Sequence, residues 1–255
     1  LNVAVGHLAG FQVTTGVENV IIGALAGDSL TDADYNTAVG KSALGNDQLG
    51  SRNTAVGNSA LQTQRFTTAT DSYNSAFGFN AGGAVTTGVE NTLIGGNSGD
   101  ALTDGDKNVA VGTAALGSDT RGNFSTAIGY GALNSQNTTN DTDMYNTAVG
   151  YLAGVSVTTG GRNVAVGYNA LTTQNAGADA NNVAVGFEAG KSVTTGTANT
   201  LIGGLAGDAI TTGANNTAVG QGALSLETTG GRSVAIGVGA LASQNLTGDE
   251  LPYNV

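Results

Sequence analysis

The chain repeats a five-residue motif of the NTAVG type at nearly regular intervals along its length. When the Asn or Ser of this motif is counted as position 1, fourteen complete units begin at residues 2, 19, 36, 53, 74, 91, 108, 125, 146, 163, 182, 199, 216 and 233, and an unfinished unit begins at 254. The spacing is 17 residues in ten cases, 21 in three and 19 in one. One unit of this length cannot bury a hydrophobic face alone, so the units are expected to stack and share a core.

The units are grouped into larger blocks of four. Position 9 shows the grouping, because it reads Gly, Gly, Leu, Leu in every complete block. The blocks are 72 residues long and span 2–73, 74–145 and 182–253, and a half block at 146–181 holds only a first-type and a fourth-type unit. Duplication of a 72-residue block, with the two middle units lost once, accounts for this pattern.

Each unit is expected to contain two short strands and two turns. Position 2 is Val, Thr or Ser, position 4 is Val or Ile except at Phe77, and position 5 is always Gly, which is the pattern of a short strand ended by a glycine. A second short apolar stretch follows at positions 7 to 9, and polar, glycine-rich residues return the chain. Helical periodicity is absent because glycine interrupts every segment. The sequence therefore predicts an all-β fold, a parallel β-solenoid of 14 coils with about 17 residues per coil, and residues 1–255 are interpreted as a single β-solenoid repeat segment of a longer fibre.

Position 1 is Asn in twelve of the fourteen complete units and Ser in the other two. Stacked coils would bring these amides into register as a hydrogen-bonded ladder. Asn is also a favourable turn residue before a strand. The two interpretations are compatible.

The strand pattern also predicts an oligomer. Because successive side chains of a strand face opposite ways, we expect positions 2 and 4 to fill the coil and position 3 to face outward. Position 3 is nevertheless Ala in eleven units and a larger apolar residue in the other three. An apolar outward face is expected to be covered by a partner, and an identical chain is the simplest partner. The alternative is a monomer that exposes a scattered stripe of alanines. The candidate oligomer-interface strip comprises Ala38, Ala55, Leu93, Ala110, Ala148, Leu201 and Ala218.

The motifs NTAVG, NVAVG, STAIG (from residue 125) and SVAIG (from residue 233) resemble the SVAIG-type repeats in the heads of trimeric autotransporter adhesins, and similar repeats in trimeric tail fibres of bacteriophages. The resemblance covers nearly the whole segment. It implies a left-handed, β-roll-like coil and a homotrimer, either intertwined or side by side. The unit here is longer than the usual adhesin-head repeat, and the four-unit block is a further departure. These differences favour a virion fibre or another extracellular filament.

Composition excludes several other classes of protein. The chain is 40% hydrophobic and 11% charged, whereas disordered segments combine low hydrophobicity with high charge. Its net charge of −11 disfavours nucleic-acid binding, which needs a basic surface. The absence of cysteine removes disulfides and thiolate chemistry. No apolar run approaches the ~20 residues of a membrane span, so no membrane insertion is predicted within this segment.

Catalytic and metal-binding signals are weak. His7 is the only histidine, so histidine-based triads and clustered histidine metal sites are not expected. Asp28, Asp100 and Asp208 recur at position 10 but lack the pattern of calcium-binding repeats, and solvated turn carboxylates are the simpler interpretation. We therefore expect no catalytic residue, no metal, no cofactor and no enzymatic activity. A tailspike-like depolymerase remains a minor alternative.

The longer loops of the fourth-type units are the candidate binding sites. Each 21-residue unit adds four residues, at 62–73, 134–145 and 242–253, and the half block has a 19-residue version at 173–182. Variable loops on a rigid scaffold commonly carry binding, although spacers and contacts between neighbouring chains are equally open. The candidate receptor or inter-chain contact residues are Gln64, Arg65, Phe66, Tyr73, Gln136, Tyr145, Gln174, Gln244 and Tyr253.

The expected function is thus that of a structural repeat segment in an extracellular or virion-surface fibre that supports host attachment. The alternative is an adhesin head module that binds a glycan or protein receptor through its longer loops. The expected partners are identical chains and a host-surface glycan or protein.

Overall fold

The computed structural model describes residues 1–177 and 179–246, and all regular secondary structure in these residues is β. Fourteen strands have three residues and occupy positions 2 to 4 of their coils, while four strands have two residues. In chain order the strands are β1 (Val3–Val5), β2 (Val20–Ile22), β3 (Thr37–Val39), β4 (Gly50–Ser51), β5 (Thr54–Val56), β6 (Thr70–Asp71), β7 (Ser75–Phe77), β8 (Thr92–Ile94), β9 (Val109–Val111), β10 (Gly122–Asn123), β11 (Thr126–Ile128), β12 (Thr142–Asp143), β13 (Thr147–Val149), β14 (Val164–Val166), β15 (Val183–Val185), β16 (Thr200–Ile202), β17 (Thr217–Val219) and β18 (Val234–Ile236).

The chain divides into two compact units. The first comprises Leu1–Phe124 with Thr138–Thr142, and the second comprises Ser125–Asn137 with the residues from Asp143 onward. In the first unit β1, β2, β3, β5, β7, β8 and β9 pair in that order, all parallel. In the second unit the same holds for β11, β13, β14, β15, β16, β17 and β18. Each unit is a stack of seven coils, which confirms the predicted parallel β-solenoid of fourteen coils.

The longer units leave the strand register unchanged. Ala38 pairs with Ala55 across a 17-residue spacing, and Ala55 pairs with Ala76 across a 21-residue spacing. Every pair therefore joins equal positions of neighbouring units, and the four additional residues lie in the loop after the core of the coil has closed.

The strand side chains face the opposite way from the prediction. From the second coil onward the position-3 side chains are buried inside the coil, whereas those at positions 2 and 4 are half-buried or exposed. The predicted oligomer-interface strip is therefore wrong, because all of its members are 0% exposed within the single chain, namely Ala38, Ala55, Leu93, Ala110, Ala148, Leu201 and Ala218.

The thin core explains this orientation and the four-unit block. Where position 3 is large, position 9 is glycine: a Cβ added to Gly99 would lie 2.7 Å from Leu93 Cδ2, and one added to Gly207 would lie 2.7 Å from Leu201 Cδ2. Where position 3 is alanine in the third and fourth coils, position 9 is a buried leucine such as Leu44. Close packing requires such compensation of volume. The 72-residue block is thus a pattern of core complementarity.

The second strand predicted at positions 7 to 9 is a turn. Residues at positions 7 and 9 adopt the left-handed conformation, with φ of 57° at Ser42 and 51° at Leu44. The N–H groups of these two residues bond to opposite neighbours in the stack. Ser42 donates to Ala24 O of the preceding coil at 3.0 Å, and Leu44 donates to Ala60 O of the following coil at 3.0 Å. These bonds offset the cost of positive φ in residues other than glycine.

The asparagine ladder is confirmed, and its amides bond chiefly to the backbone. The Asn53 N–H donates to Asn36 Oδ1 at 2.9 Å, and Asn36 Nδ2 donates to Gly50 O at 2.9 Å. Asn53 Nδ2 also donates to Asn36 Oδ1 at 3.2 Å. Each asparagine therefore links two coils and closes its own coil, so both interpretations of position 1 hold.

Candidate functional site

The longer loops begin just after position 12, whose side chains form a column along the stack that is apolar in the first two coils of a block and polar in the last two. In every complete block this position reads Val, then Leu or Ile, then Asp or Glu, then Gln. The first two residues belong to the apolar core. The acid and the glutamine belong to the third and fourth coils, directly beneath the longer loop, and they form the base of the candidate site.

Asp47 shows how the acid is accommodated. Its Oδ1 accepts hydrogen bonds from the backbone N–H groups of Gln48 at 2.9 Å, Gly50 at 3.2 Å and Phe66 at 3.0 Å. Its Oδ2 accepts one from Gln64 Nε2 at 2.6 Å. Four donors thus satisfy a side chain that is 0% exposed, and hydrogen bonds of this kind stabilise a carboxylate without a cation.

The same anchor occurs beneath the other two 21-residue loops. Asp119 Oδ1 accepts from the N–H groups of Gly122 at 3.1 Å and Thr138 at 3.3 Å. Glu227 Oε1 accepts from Gly230 N at 2.7 Å and from Leu246 N at 3.3 Å. In each block the acid holds the residue two places after the recurring glutamine. The buried acid therefore anchors the base of the longer loop to the coil below.

Five of the predicted contact residues lie in this network or beside it. Gln64, Gln136 and Gln174 are 0% exposed, Gln244 is half-buried, and Phe66 is 6% exposed. For Gln64, Gln136, Gln174 and Phe66 the prediction of contact with a receptor or a neighbouring chain is wrong, because these side chains are buried within the single chain. Gln244 donates to Glu227 and Ser233, and its role in contacts stays a prediction. Arg65, Tyr73 and Tyr145 are exposed, and their role in contacts stays a prediction. Tyr253 lies outside the described residues.

The half block lacks the acid because it lacks the third-type unit. Gln64 and Gln136 each accept a hydrogen bond on Oε1 from the Nδ2 of the next asparagine, Asn74 or Asn146, at 2.9 Å. Gln174, by contrast, has both amide atoms buried without a hydrogen-bond partner in the described part of the chain. The loop above Gln174 is also two residues shorter than the others. The loss of two units therefore left an unsatisfied amide in the core.

A polar groove runs along the surface beside the first long loop. It has a volume of about 440 Å³ and is lined by Ser29, Asn46, Gln48, Thr63 and Arg65. These residues occupy position 11 of three successive coils and position 13 of the last two. Position 12 points into the core between them, so the two outward rows form the walls of the groove.

Two exposed aromatic clusters were missed at the sequence level. Tyr130, Tyr151, Tyr168 and Phe187 occupy position 6 of four successive coils, and neighbouring rings stack with centroids 5.3, 5.4 and 5.3 Å apart. The sequence does contain a signal for this ladder, because position 6 is aromatic in four consecutive units.

The second cluster lies at the last residue of three successive coils, Tyr35, Arg52 and Tyr73, of which Tyr73 ends the first long loop. The Arg52 guanidinium lies 4.7 Å from the ring centroid of Tyr35 and 5.9 Å from that of Tyr73. Arg52 Nε also pairs with Asp71 Oδ2 at 3.0 Å. Cation–π contacts and the ion pair together hold the end of this loop.

The recurring position-10 carboxylates are half-buried turn residues rather than solvated ones. Burial raises the pKa of Asp28, Asp100 and Asp208 above the ordinary value of 3.8. Among residues 1–177 and 179–246, no group of three or more His, Cys, Asp or Glu side chains is placed to hold a metal ion.

No protein-family model, curated protein or solved structure matches this chain. Within the described ranges there is also no helix with the length and apolar character needed to cross a bilayer.

Proposed function

We propose that this chain is a structural repeat segment of a homo-oligomeric fibre, on a virion or outside cells, that supports attachment to a host surface. The observation that carries the proposal is the outward face of the parallel strands. Positions 2 and 4 form two rows along each stack of coils, β-branched except at Ser75 and Phe77, and their side chains are half-buried or exposed in the described chain.

The position-4 row is the more apolar of the two. Ile22, Ile94 and Ile202 are each 39% exposed and Ile128 is 38% exposed, and the residues between them are valines except for Phe77. In-register pairing places equal positions of neighbouring coils above one another, so the exposed apolar surface is long and regular. A second copy of the chain carries the same row with the same spacing and is therefore the partner that fits it best. The resemblance to trimeric fibres favours three copies.

Light scattering on the purified chain tests this proposal, with an expected mass three times that of one chain. Aspartate at two neighbouring position-4 sites, Val166→Asp with Val185→Asp, introduces charge repulsion and desolvation into the proposed interface. We expect this variant to be monomeric with an unchanged far-UV circular dichroism spectrum. Asn46→Asp, which adds a charge outside the strand face, is the control and should keep the wild-type mass. A monomeric wild-type chain would exclude the interface.

A second candidate function, receptor binding by the longer loops, has its own support. The buried acids fix the loop bases while Arg65, Tyr73 and Tyr145 remain exposed, and preorganised loops lose less entropy on binding. Glycan-array and cell-binding assays on the isolated segment separate the two functions, because a spacer binds nothing. Replacing Tyr73 and Tyr145 by Ala should then weaken any binding without changing the oligomeric mass.

A further inference from the structure

The groove beside the first long loop has unused hydrogen-bonding capacity. In the described part of the chain, the side chains of Ser29, Asn46, Gln48 and Arg65 make no hydrogen bond to another residue. The Thr63 hydroxyl lies 2.7 Å from Gly83 O and 3.0 Å from Val85 O, to which it can donate, and its oxygen keeps the capacity to accept a hydrogen bond. The groove thus presents hydroxyl and amide groups along its position-11 wall and an amide and a guanidinium group along its position-13 wall.

Arg65 is the cation of this groove and has no carboxylate within ion-pairing distance among the described residues. Three other arginines form ion pairs: Arg52 with Asp71 at 3.0 Å, Arg121 with Asp104 at 3.3 Å and Arg162 with Asp179 at 2.7 Å. The chain as a whole has a net charge of −11, so the unpaired Arg65 guanidinium makes this groove locally positive. It is suited to a carboxylate, which its planar fork binds with two parallel hydrogen bonds.

The backbone around Arg65 is held on both sides. The Arg65 N–H donates to Thr86 O of the next coil at 2.9 Å, and the Phe66 N–H donates to the buried Asp47 at 3.0 Å. A Cβ added to Gly50 would lie 2.8 Å from Phe66 Cδ2, so the glycine leaves room for the Phe66 ring beneath the loop. Arg65 therefore projects from a fixed point of the groove, which lowers the entropic cost of binding.

We propose that this groove binds an acidic saccharide, with Arg65 pairing with a sugar carboxylate and the polar wall residues bonding to ring hydroxyls. The three position-11 side chains follow the stacking direction at about 4.8 Å per rung, so the groove extends for about 10 Å, a length comparable to a disaccharide. A nucleic acid would need a row of cations, and this groove has one. The inference rests on the receptor-binding function and names the ligand class for the first long loop.

The test is calorimetric titration of the whole chain with tetramers of galacturonate, mannuronate and glucuronate, and with their methyl esters. We expect at least one tetramer to bind. Its uncharged methyl ester should bind at least about tenfold more weakly, because the charge-assisted hydrogen bonds to Arg65 are lost. Arg65→Asn, which installs the residue found at the matching position 137, should weaken binding of the acid form by a similar factor. Arg65→Lys should restore part of it, since charge is kept and the fork is lost.

Lys41→Asn is the charge-matched control, because Lys41 is exposed and lies outside the groove. This variant changes the net charge as much as Arg65→Asn does and should bind like the wild type. The proposal is overturned if no acidic tetramer binds, if acid and ester bind equally, or if the two variants behave alike. The oligomeric mass is measured in parallel, so a failed groove is distinguished from a failed fibre: loss of binding in a chain that remains oligomeric leaves the structural role intact.

Discussion

Gln64 Nε2 lies 2.6 Å from Asp47 Oδ2, and both side chains are completely buried. This pair joins the third coil of the first block to the fourth, at the point where the chain departs into its longer loop. The recurring glutamine is therefore a core residue that satisfies a buried acid. Its counterpart in the half block, Gln174, has no acid to satisfy.

Substituting the two glutamines by leucine should have opposite effects on stability. Gln64→Leu removes a donor from the buried Asp47 carboxylate and should lower the free energy of unfolding by about 2 kcal/mol or more. Gln174→Leu removes an unpartnered amide that lies between the position-12 valines 157 and 193, and it should raise that free energy by about 1–2 kcal/mol. Urea unfolding at one fixed protein concentration measures both. Equal effects of the same sign would contradict the assignment of the two sites.

Core complementarity between positions 3 and 9 predicts strong coupling in the second block. Leu93→Ala alone should cost about 2–5 kcal/mol by opening a cavity. Gly99→Leu alone should be destabilising, because the new side chain meets Leu93. The double variant reproduces the Ala and Leu combination of the third coil, where Leu116 takes the same backbone conformation with φ of 53°. We expect it to be more stable than either single variant, as a double-mutant cycle would measure. Additive losses would show that the positions do not share volume.

Asp208 should make the chain less stable as pH rises from acid toward neutral. Burial raises its pKa above 3.8, and one of its carboxylate oxygens is buried without a hydrogen-bond partner in the described residues. The folded state therefore binds more protons than the unfolded state between 3.8 and the raised pKa, so the free energy of unfolding falls as pH rises through that window. Asp208→Asn should be more stable than wild type at pH 7 and lose this advantage below pH 3.8. Parallel stability curves for the two proteins would refute the effect.

The aromatic ladder should stabilise the coils that carry it. Tyr151 stacks on both Tyr130 and Tyr168, so Tyr151→Ala should remove two contacts worth about 0.5–1.5 kcal/mol each. Phe187 stacks on Tyr168 alone within the described residues, and Phe187→Ala should cost about half as much. Near-UV circular dichroism and urea unfolding measure the lost stacking. Equal losses for the two variants would mean that the ring stacking contributes little.

Much of the candidate site could not be predicted because the deciding contacts join residues from different coils. The loops were located from their additional residues, and Arg65 was named as a candidate from the loop sequence. The groove itself depends on Ser29 and Asn46, which lie two coils and one coil below Arg65 and carry no motif of their own. The burial of Gln64 was equally hidden, since a polar residue that recurs within a variable loop has the same pattern whether it binds outside or inside.

The sequence by itself determined the coil length, the number of coils, the strand at positions 2 to 4 and the asparagine ladder. Similar units that stack in register bring equal positions of neighbouring coils together, so the repeat length alone specifies which strand residues pair. Only the tertiary structure decided which strand face is internal. Alternation defines two faces without choosing between them, and hydrophobicity pointed to Val and Ile over Ala. The narrow interior made the choice instead: positions 3, 9 and 12 share one thin core, so a coil with leucine at position 9 has room only for alanine at position 3, and a larger residue at position 3 is found only where position 9 is glycine.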